Sequence, residues 1–175
     1  LDRNPGDAEI RFEKYRVLAD LGEYGMADAE LQKIFEMYPK FPNLHFSKGQ
    51  IYVRIAKLRE AQKEYELELA NNNPSTKVLL ALGSVHLELK EQEAALKYFV
   101  QAMQRAPNEA EPKRLAGYAN QLLRRPEAAI ALYKEALKLD AGNPVIYRDL
   151  GNAYRSMADQ ANTRWAYQKY LEMEP

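Results

Sequence analysis

The residues that could do chemistry are few and scattered. Among 175 residues there are two histidines, His45 and His86, and no cysteine. The absence of cysteine excludes disulfide frameworks, thiolate zinc sites and cysteine nucleophiles, and leaves the redox compartment open. No His-x-x-x-His, His-Glu or His-Cys spacing gives either histidine a partner, so both read as packing residues and not as metal ligands or bases. Carboxylates are densest at Glu60, Glu64, Glu66 and Glu68, interleaved with Arg59 and Lys63. Mixtures of that kind at i, i+4 spacing read as a solvated helical face and not as an acid–base pair. The eight glycines are dispersed and form no phosphate-cradling loop. The expectation is a chain without catalysis, cofactor or metal. Twenty-five Lys and Arg balance twenty-five Asp and Glu. A zero net charge argues against nucleic acid as a partner. No apolar run approaches the roughly 18–20 residues of a membrane span, so no direct membrane insertion is expected.

What must position the side chains is a repeat. Gly49, Gly83, Gly117 and Gly151 stand 34 residues apart. In the same register lie Ala27, Ala61, Ala95 and Ala129, with Thr163 in the fifth place, and a bulky rung of Leu31, Tyr65, Phe99, Tyr133 and Tyr167. A proline rung follows at Pro5, Pro39, Pro107 and Pro175, with Asn73 (beside Pro74) and Ala141 filling its gaps. Within 76–109, Val78 to Leu87 has apolar residues at helical spacing, Lys90-Glu91-Gln92 is a polar connection, and Ala94 to Met103 carries the stripe of a second helix. Two helices joined by so short a turn approach closely only where small residues meet, which predicts glycine and alanine at the crossing and the aromatic rung beside it.

The pattern Leu82-Gly83, His86, Ala95, Phe99, Ala102, Pro107, and again Tyr147, Leu150-Gly151, Tyr154, Tyr167, Pro175, resembles the tetratricopeptide repeat. The resemblance covers repeats at 8–41, 42–75, 76–109, 110–143 and 144–175 in one array over 1–175, with residues 1–7 as the tail of a preceding repeat and the chain as a segment of a longer array. It implies an all-α fold, an α-α superhelix in which a right-handed solenoid of helix-turn-helix repeats lines a concave groove with its first helices. Departures fall early: Tyr15 on the glycine rung, Lys14 and Lys48 in the leucine place before it, and Glu68 in place of a packing alanine.

The family's inward positions map onto Phe12, Glu13, Arg16 and Asp20 in the first repeat, and Phe46, Ser47, Gln50, Val53 and Arg54 in the second. Leu80, Ala81, Ser84 and Leu87 follow in the third, Arg114, Leu115, Tyr118 and Gln121 in the fourth, and Arg148, Asp149, Asn152 and Arg155 in the fifth. The first half reads as an apolar floor and the second as donor-rich and cationic, which points to a peptide with apolar anchors at one end and carboxylates at the other. The family's clamp for a C-terminal double carboxylate is not matched. Its places hold Phe12, Arg16, Ser47, Lys77 and Ala81, or the equally unsuitable sets beginning at Phe46 and Leu80. The family's asparagine ladder is missing too, its rung being Glu13, Ser47, Ala81, Leu115 and Asp149.

The resemblance therefore implies an interaction module, an adaptor or assembly scaffold that binds a partner's peptide or helix in the groove. The alternatives are a targeting region of a larger enzyme and a self-assembling scaffold. Trp165 and Tyr170 are candidate contacts on a C-terminal end that lacks the polar cap solenoids normally carry, so self-association through that end is expected. Tyr170-Leu171-Glu172 is similar to wording in bacterial members of envelope, secretion and pilus assembly. Cytoplasm and periplasm are both compatible.

Overall fold

In a computed structural model, which describes residues 5–71 and 75–173, the chain is all α-helix, with no strand among the described residues. Its helices are α1 (Pro5–Asp20), α2 (Tyr24–Met37), α3 (Leu44–Arg54), α4 (Leu58–Asn71), α5 (Thr76–Glu88), α6 (Gln92–Arg105), α7 (Ala110–Leu122), α8 (Pro126–Leu139), α9 (Pro144–Ser156) and α10 (Gln160–Met173). The helices expected around Val78–Leu87 and Ala94–Met103 are α5 and α6. Pro39 and Pro107 lie two residues beyond α2 and α6, where the missing N–H does least harm. Pro5 instead opens α1. The remaining members of that rung, Asn73 with Pro74 and Pro175, lie outside the described residues. The chain divides into two compact units, Leu1–Val78 and Leu79–Pro175.

The turn inside each helix pair repeats with the same period. Gly22, Ala56, Lys90, Arg124 and Ala158, again 34 apart, all have φ between 56° and 79°. The residue after each donates its N–H back to a carbonyl five residues earlier: Glu23 to Leu18, Lys57 to Tyr52, Glu91 to His86, Arg125 to Asn120 and Asp159 to Tyr154, at 2.8–3.1 Å. This is the Schellman closure, which satisfies the last carbonyls of one helix and reverses the chain into the next. Only the first copy uses glycine, the residue without a Cβ penalty at positive φ.

The glycine rung is a socket for the aromatic rung. A Cβ on Gly117 would sit 2.7 Å from Tyr133 Cε1, one on Gly151 2.9 Å from Tyr167 Cδ1, and those on Gly49 and Gly83 closer still to Tyr65 and Phe99. The two partners are always sixteen residues apart, one on each helix of a pair.

The same offset explains the early departures. Lys14 donates to Glu30 at 2.9 Å and Lys48 lies 3.5 Å from Glu64, whereas the matching pairs in unit 2 are Leu82 with Tyr98, Ala116 with Leu132 and Leu150 with Ala166. An apolar pair has been exchanged for an ion pair. Glu30 is almost wholly buried and accepts from Arg11 and Lys33 as well. Lys14 foremost, then Lys33 and Arg11, outweighs the effect of burial and holds its carboxyl at about 2. At Lys48, burial disfavours the ammonium but Glu64, with Tyr52 and Asp28, more than offsets it, so its pKa lies above the ordinary lysine value. Tyr15, on the glycine rung, is matched sixteen residues on by Leu31: large and small have changed places. Both are buried in a core with Ala8, Ala27, Ile34, Leu44 and Ile51.

Glu68, in the alanine place, is also buried. Its carboxylate accepts the N–H of Phe46 at 3.2 Å. That N–H is one of the first-turn donors of α3, whose preceding residue Asn43 is left-handed and makes no side-chain cap. Glu68 thus does from α4 what an N-cap would do locally. The expectation of a solvated face over Glu60–Glu68 is corrected accordingly. Glu60 and Glu66 are exposed, but Glu64 and Glu68 turn toward α3 because that helix offers Lys48, His45 and an uncapped end.

In unit 2 the cores follow the repeat more closely. Ala95 and Phe99 pack with Ala116 and Ala119, and Ala129, Ile130, Tyr133 and Ala136 pack with Ile146, Leu150, Ala153 and Tyr154.

Candidate functional site

Seven of the inward positions mapped from the sequence, Phe12, Arg16, Asp20, Phe46, Ser47, Gln50 and Arg54, line one cavity of about 500 Å³ in unit 1. Phe12 and Arg16 lie one turn apart on α1, and Phe46 and Gln50 one turn apart on α3, so each helix presents one face to a common space. The buried Tyr15, Ser47 and Ile51 form its deeper wall, and Arg54, Ser75 and Lys77 also line it. Tyr15 reaches across, its hydroxyl donating to the Ser47 carbonyl at 3.4 Å, and burial raises its pKa above the ordinary tyrosine value. Phe12 is fixed by Tyr15 and Phe41, with ring centroids 5.3 Å away in each case, and Phe46 by Tyr65 at 5.5 Å.

The charge on this cavity differs from the expected apolar floor. Arg16, Arg54 and Lys77 line it against one carboxylate, Asp20. Arg16 is held by Glu13 at 2.8 Å, whereas Arg54 and Lys77 have no acidic partner among the described residues. An aromatic wall with a cationic edge can hold an apolar side chain and an anionic group together. The cations come from the end of α3 and the start of α5. Arg54 is one of the inward positions mapped from the sequence, whereas Lys77 enters the sequence reading only as a place in the unmatched carboxylate clamp.

The candidates in unit 2 are more heavily engaged within the protein. Leu80 and Leu87 are partly buried against the core containing Phe99 and Ala116. Ser84 is half-buried, and Tyr118 and Arg155 are exposed. Asn152 accepts from the Tyr167 hydroxyl at 2.7 Å. Arg114 and Arg148 converge on the buried carboxylate of Asp149, at 2.9 and 3.0 Å. Arg114 also makes a two-pronged contact with Glu111, which, with a smaller effect of Asp149, raises its pKa above the ordinary arginine value. A carboxylate placed under a helix requires such pairing, so two of the three arginines read as donors are committed to Asp149.

Each histidine also has a partner that local spacing did not reveal. His45 Nδ1 lies 2.7 Å from Glu64 with its ring edge-on to Phe35, and His86 Nδ1 lies 2.7 Å from Glu91 with its ring stacked on Tyr98. No group of three or more potential metal ligands gathers around either among the described residues. Trp165 is 43% exposed and packs edge-on to Tyr147, while Tyr170 is half-buried. No described helix is long and apolar enough to cross a membrane.

A tetratricopeptide-repeat family profile matches residues 76–109, the third of the repeats read from the sequence, and a second TPR-repeat profile matches 125–157, from the end of the turn after α7 through α8 and α9. No curated protein sequence is significantly similar to the chain. Solved structures share the fold at low identity. MamA from Desulfovibrio magneticus RS-1 aligns with TM-score 0.86 and 18% identity over 96% of this chain and 95% of its own. PilF from Pseudomonas aeruginosa aligns with TM-score 0.84 and 18% identity over 96% and 77%. YrrB, described as a TPR protein with an unusual peptide-binding site, aligns with TM-score 0.76 and 19% identity over 94% and 85%. Periodicity, helix pairing, profile matches and fold agree: the chain carries tetratricopeptide repeats at 76–109 and 125–157 and shares the fold of solved structures built from that repeat.

Proposed function

We propose that this protein is an interaction module without catalysis of its own, and that it holds a peptide segment of a partner protein in the cavity between α1 and α3. The observation that carries the reading is the convergence of Phe12, Phe46 and Gln50 with Arg16, Arg54 and Lys77 on a space of about 500 Å³. That volume accommodates one or two large side chains with a stretch of backbone. The peptide's apolar or aromatic residue lies against Phe12 and Phe46, and its carboxylate faces Arg54 and Lys77. The acidic end of the ligand therefore belongs at this cavity, and not at Arg114 and Arg148, which Glu111 and Asp149 together already neutralise. The peptide-binding site described for YrrB supports the class of ligand, not its sequence. The five helix pairs serve as one array, with repeats at 8–41, 42–75, 76–109, 110–143 and 144–175.

The test is selection from a random peptide library on the intact chain, followed by affinity measurement on variants. Selected peptides should pair a large apolar residue with an acidic one. Phe46→Ala should weaken them at least tenfold, as loss of a buried aromatic anchor does at about 1.4 kcal/mol per decade. Lys77→Ala with Arg54→Ala should weaken the acidic peptides while sparing their Asn/Gln counterparts. Peptides that bind Phe46→Ala and wild type equally would place the site elsewhere.

A further inference from the structure

Three charges on the cavity wall stand without a partner. Asp20, Arg54 and Lys77 all line it, and none has an ion pair among the described residues. Two of them also oppose the helices that carry them. Asp20 closes α1, where the helix dipole disfavours an anion, and the last turn of α1 holds no basic residue. The equivalent residue of α3, 34 places on, is Arg54, which has the favoured sign. Lys77 is the second residue of α5, whose first turn holds no acidic residue, whereas the equivalent place in α7 is Glu111. Each of these two charges weakens its helix in the free protein, and a group of opposite sign would relieve it.

The signs are separated by helix. The Asp20 carboxylate is on α1 with Phe12, and the two cations are on α3 with Phe46 and at the start of α5. Arg16, the other cation that α1 brings to the cavity, is held by Glu13 at 2.8 and 3.1 Å. Burial raises the Tyr15 pKa and the Asp20 carboxylate adds to it, so the field of Asp20 reaches the deeper wall. Along α3 the lining runs from Asn43, just before the helix, to Arg54, its last residue. At about 1.5 Å per residue that is about 16 Å, room for about five residues of extended chain. An anchor between Phe12 and Phe46, with a charged residue on each side of it, fits within that length.

We infer that the peptide held in this cavity is amphoteric: a lysine or arginine on one side of its apolar anchor faces Asp20, and an aspartate or glutamate on the other side faces Arg54 and Lys77. The inference rests on the peptide reading of the cavity and adds to it the basic residue and the sense of the charge. Asp20 is then a specificity residue. It pairs with the ligand's cation, and by like-charge repulsion it turns away a peptide that carries carboxylates on both sides of its anchor. A wholly acidic segment, which Arg54 and Lys77 alone would favour, is the class that Asp20 excludes.

The experiment is selection on the intact chain from a library of short peptides with a central Phe and randomised flanks, read as enrichment of Lys/Arg and Asp/Glu at each position. Wild type should enrich Lys/Arg on one flank and Asp/Glu on the other by roughly two- to fivefold, as exposed ion pairs do. Asp20→Asn should lose the basic enrichment alone, and Asp20→Lys should replace it with an acidic one. Lys77→Glu should lose the acidic enrichment and keep the basic one. Asp20→Asn and Lys77→Gln should melt no lower than wild type, since each removes a charge set against its helix. No basic enrichment in wild type, or one that survives Asp20→Asn, overturns the inference. So does a fall in the melting temperature of Asp20→Asn, which would show that Asp20 has a partner within the protein. Phe46→Ala separates the two levels of failure. Peptides enriched equally by Phe46→Ala and wild type remove the cavity as the site and both readings with it. Peptides lost by Phe46→Ala but indifferent to Asp20 remove the amphoteric ligand alone.

Discussion

Gly117→Ala isolates the contact that defines the helix pair. In a helix interior alanine is preferred to glycine by about 1 kcal/mol, so propensity alone predicts a gain. The structure reverses the sign. The new methyl would lie 2.7, 2.9 and 3.1 Å from Cε1, Cδ1 and Cζ of Tyr133. That ring is fully buried, and its hydroxyl donates to Gln121 at 3.1 Å, so it cannot swing away without losing both packing and a hydrogen bond. Overpacking of this kind costs about 1–3 kcal/mol, and toward the upper end where the neighbour is pinned. The net expectation is a loss of about 1–2 kcal/mol, read as a fall in melting temperature of roughly 2–8 °C. Urea titration followed by circular dichroism gives the free energy directly. The decisive measurement is the cycle with Tyr133→Leu, since shrinking the ring should relieve the clash and give a coupling of about 1–2 kcal/mol. Gly25→Ala, with nothing within 4 Å of its Cβ, is the control and should be neutral or stabilising. If Gly117→Ala proved as stable as wild type and additive with Tyr133→Leu, the socket account of the glycine rung would be wrong.

Two further outcomes follow from the described geometry. Lys90→Gly and Arg124→Gly, which relieve left-handed φ values of 61° and 58°, should each stabilise by about 0.5–1 kcal/mol in the same titrations, with Gly22→Ala destabilising by a similar amount. Glu30→Gln should destabilise the chain at neutral pH. The Glu30 carboxyl is held at about 2 against an ordinary 4.5, so its contribution is complete above that ordinary value and is lost as pH falls through 2. The gap between variant and wild type should therefore narrow from pH 5 toward pH 2.5, and a gap independent of pH would remove the ion cluster as its cause.

The fold was legible in the sequence because the repeat states each packing rule several times. Gly83 opposite Phe99 and Gly117 opposite Tyr133 are the same steric solution, and a period of 34 exposes it without any knowledge of distance. The left-handed turn rung was not legible. Ala56, Lys90, Arg124 and Ala158 share a backbone conformation but no residue type, since the Schellman bonds are main-chain bonds. Glu30 and Glu64 were missed for a different reason. The lysines in the leucine places were visible as anomalies, but their partners are sixteen residues on and on another helix, beyond any i, i+4 rule. Once that offset is known from the glycine sockets, Lys14 with Glu30 and Lys48 with Glu64 can be read from the sequence alone. Asp149 stood among the inward positions as a groove residue. Its pairing with Arg114 crosses 35 residues, just over one repeat, and could be found only by comparing neighbouring rungs.

The departures from the repeat pattern share a location. Tyr15 replaces a glycine and thereby supplies an aromatic wall to the cavity, where Gly49, Gly83, Gly117 and Gly151 could offer only backbone. Leu31 makes this possible by giving up the ring that would have filled the same space. Glu68 replaces an alanine and caps the start of α3 at Phe46, fixing the backbone of a residue that lines the cavity. The Lys14–Glu30 and Lys48–Glu64 pairs replace apolar contacts on the helices that bear Phe12, Arg16 and Gln50. A repeat under no demand but stacking would keep the pattern that serves stacking, as α7 to α10 largely do. The first two pairs have exchanged parts of that pattern in matched, sixteen-residue couples. A selection for stability alone supplies no reason for the exchanges to gather around one cavity, whereas a ligand held between Phe12 and Phe46 does.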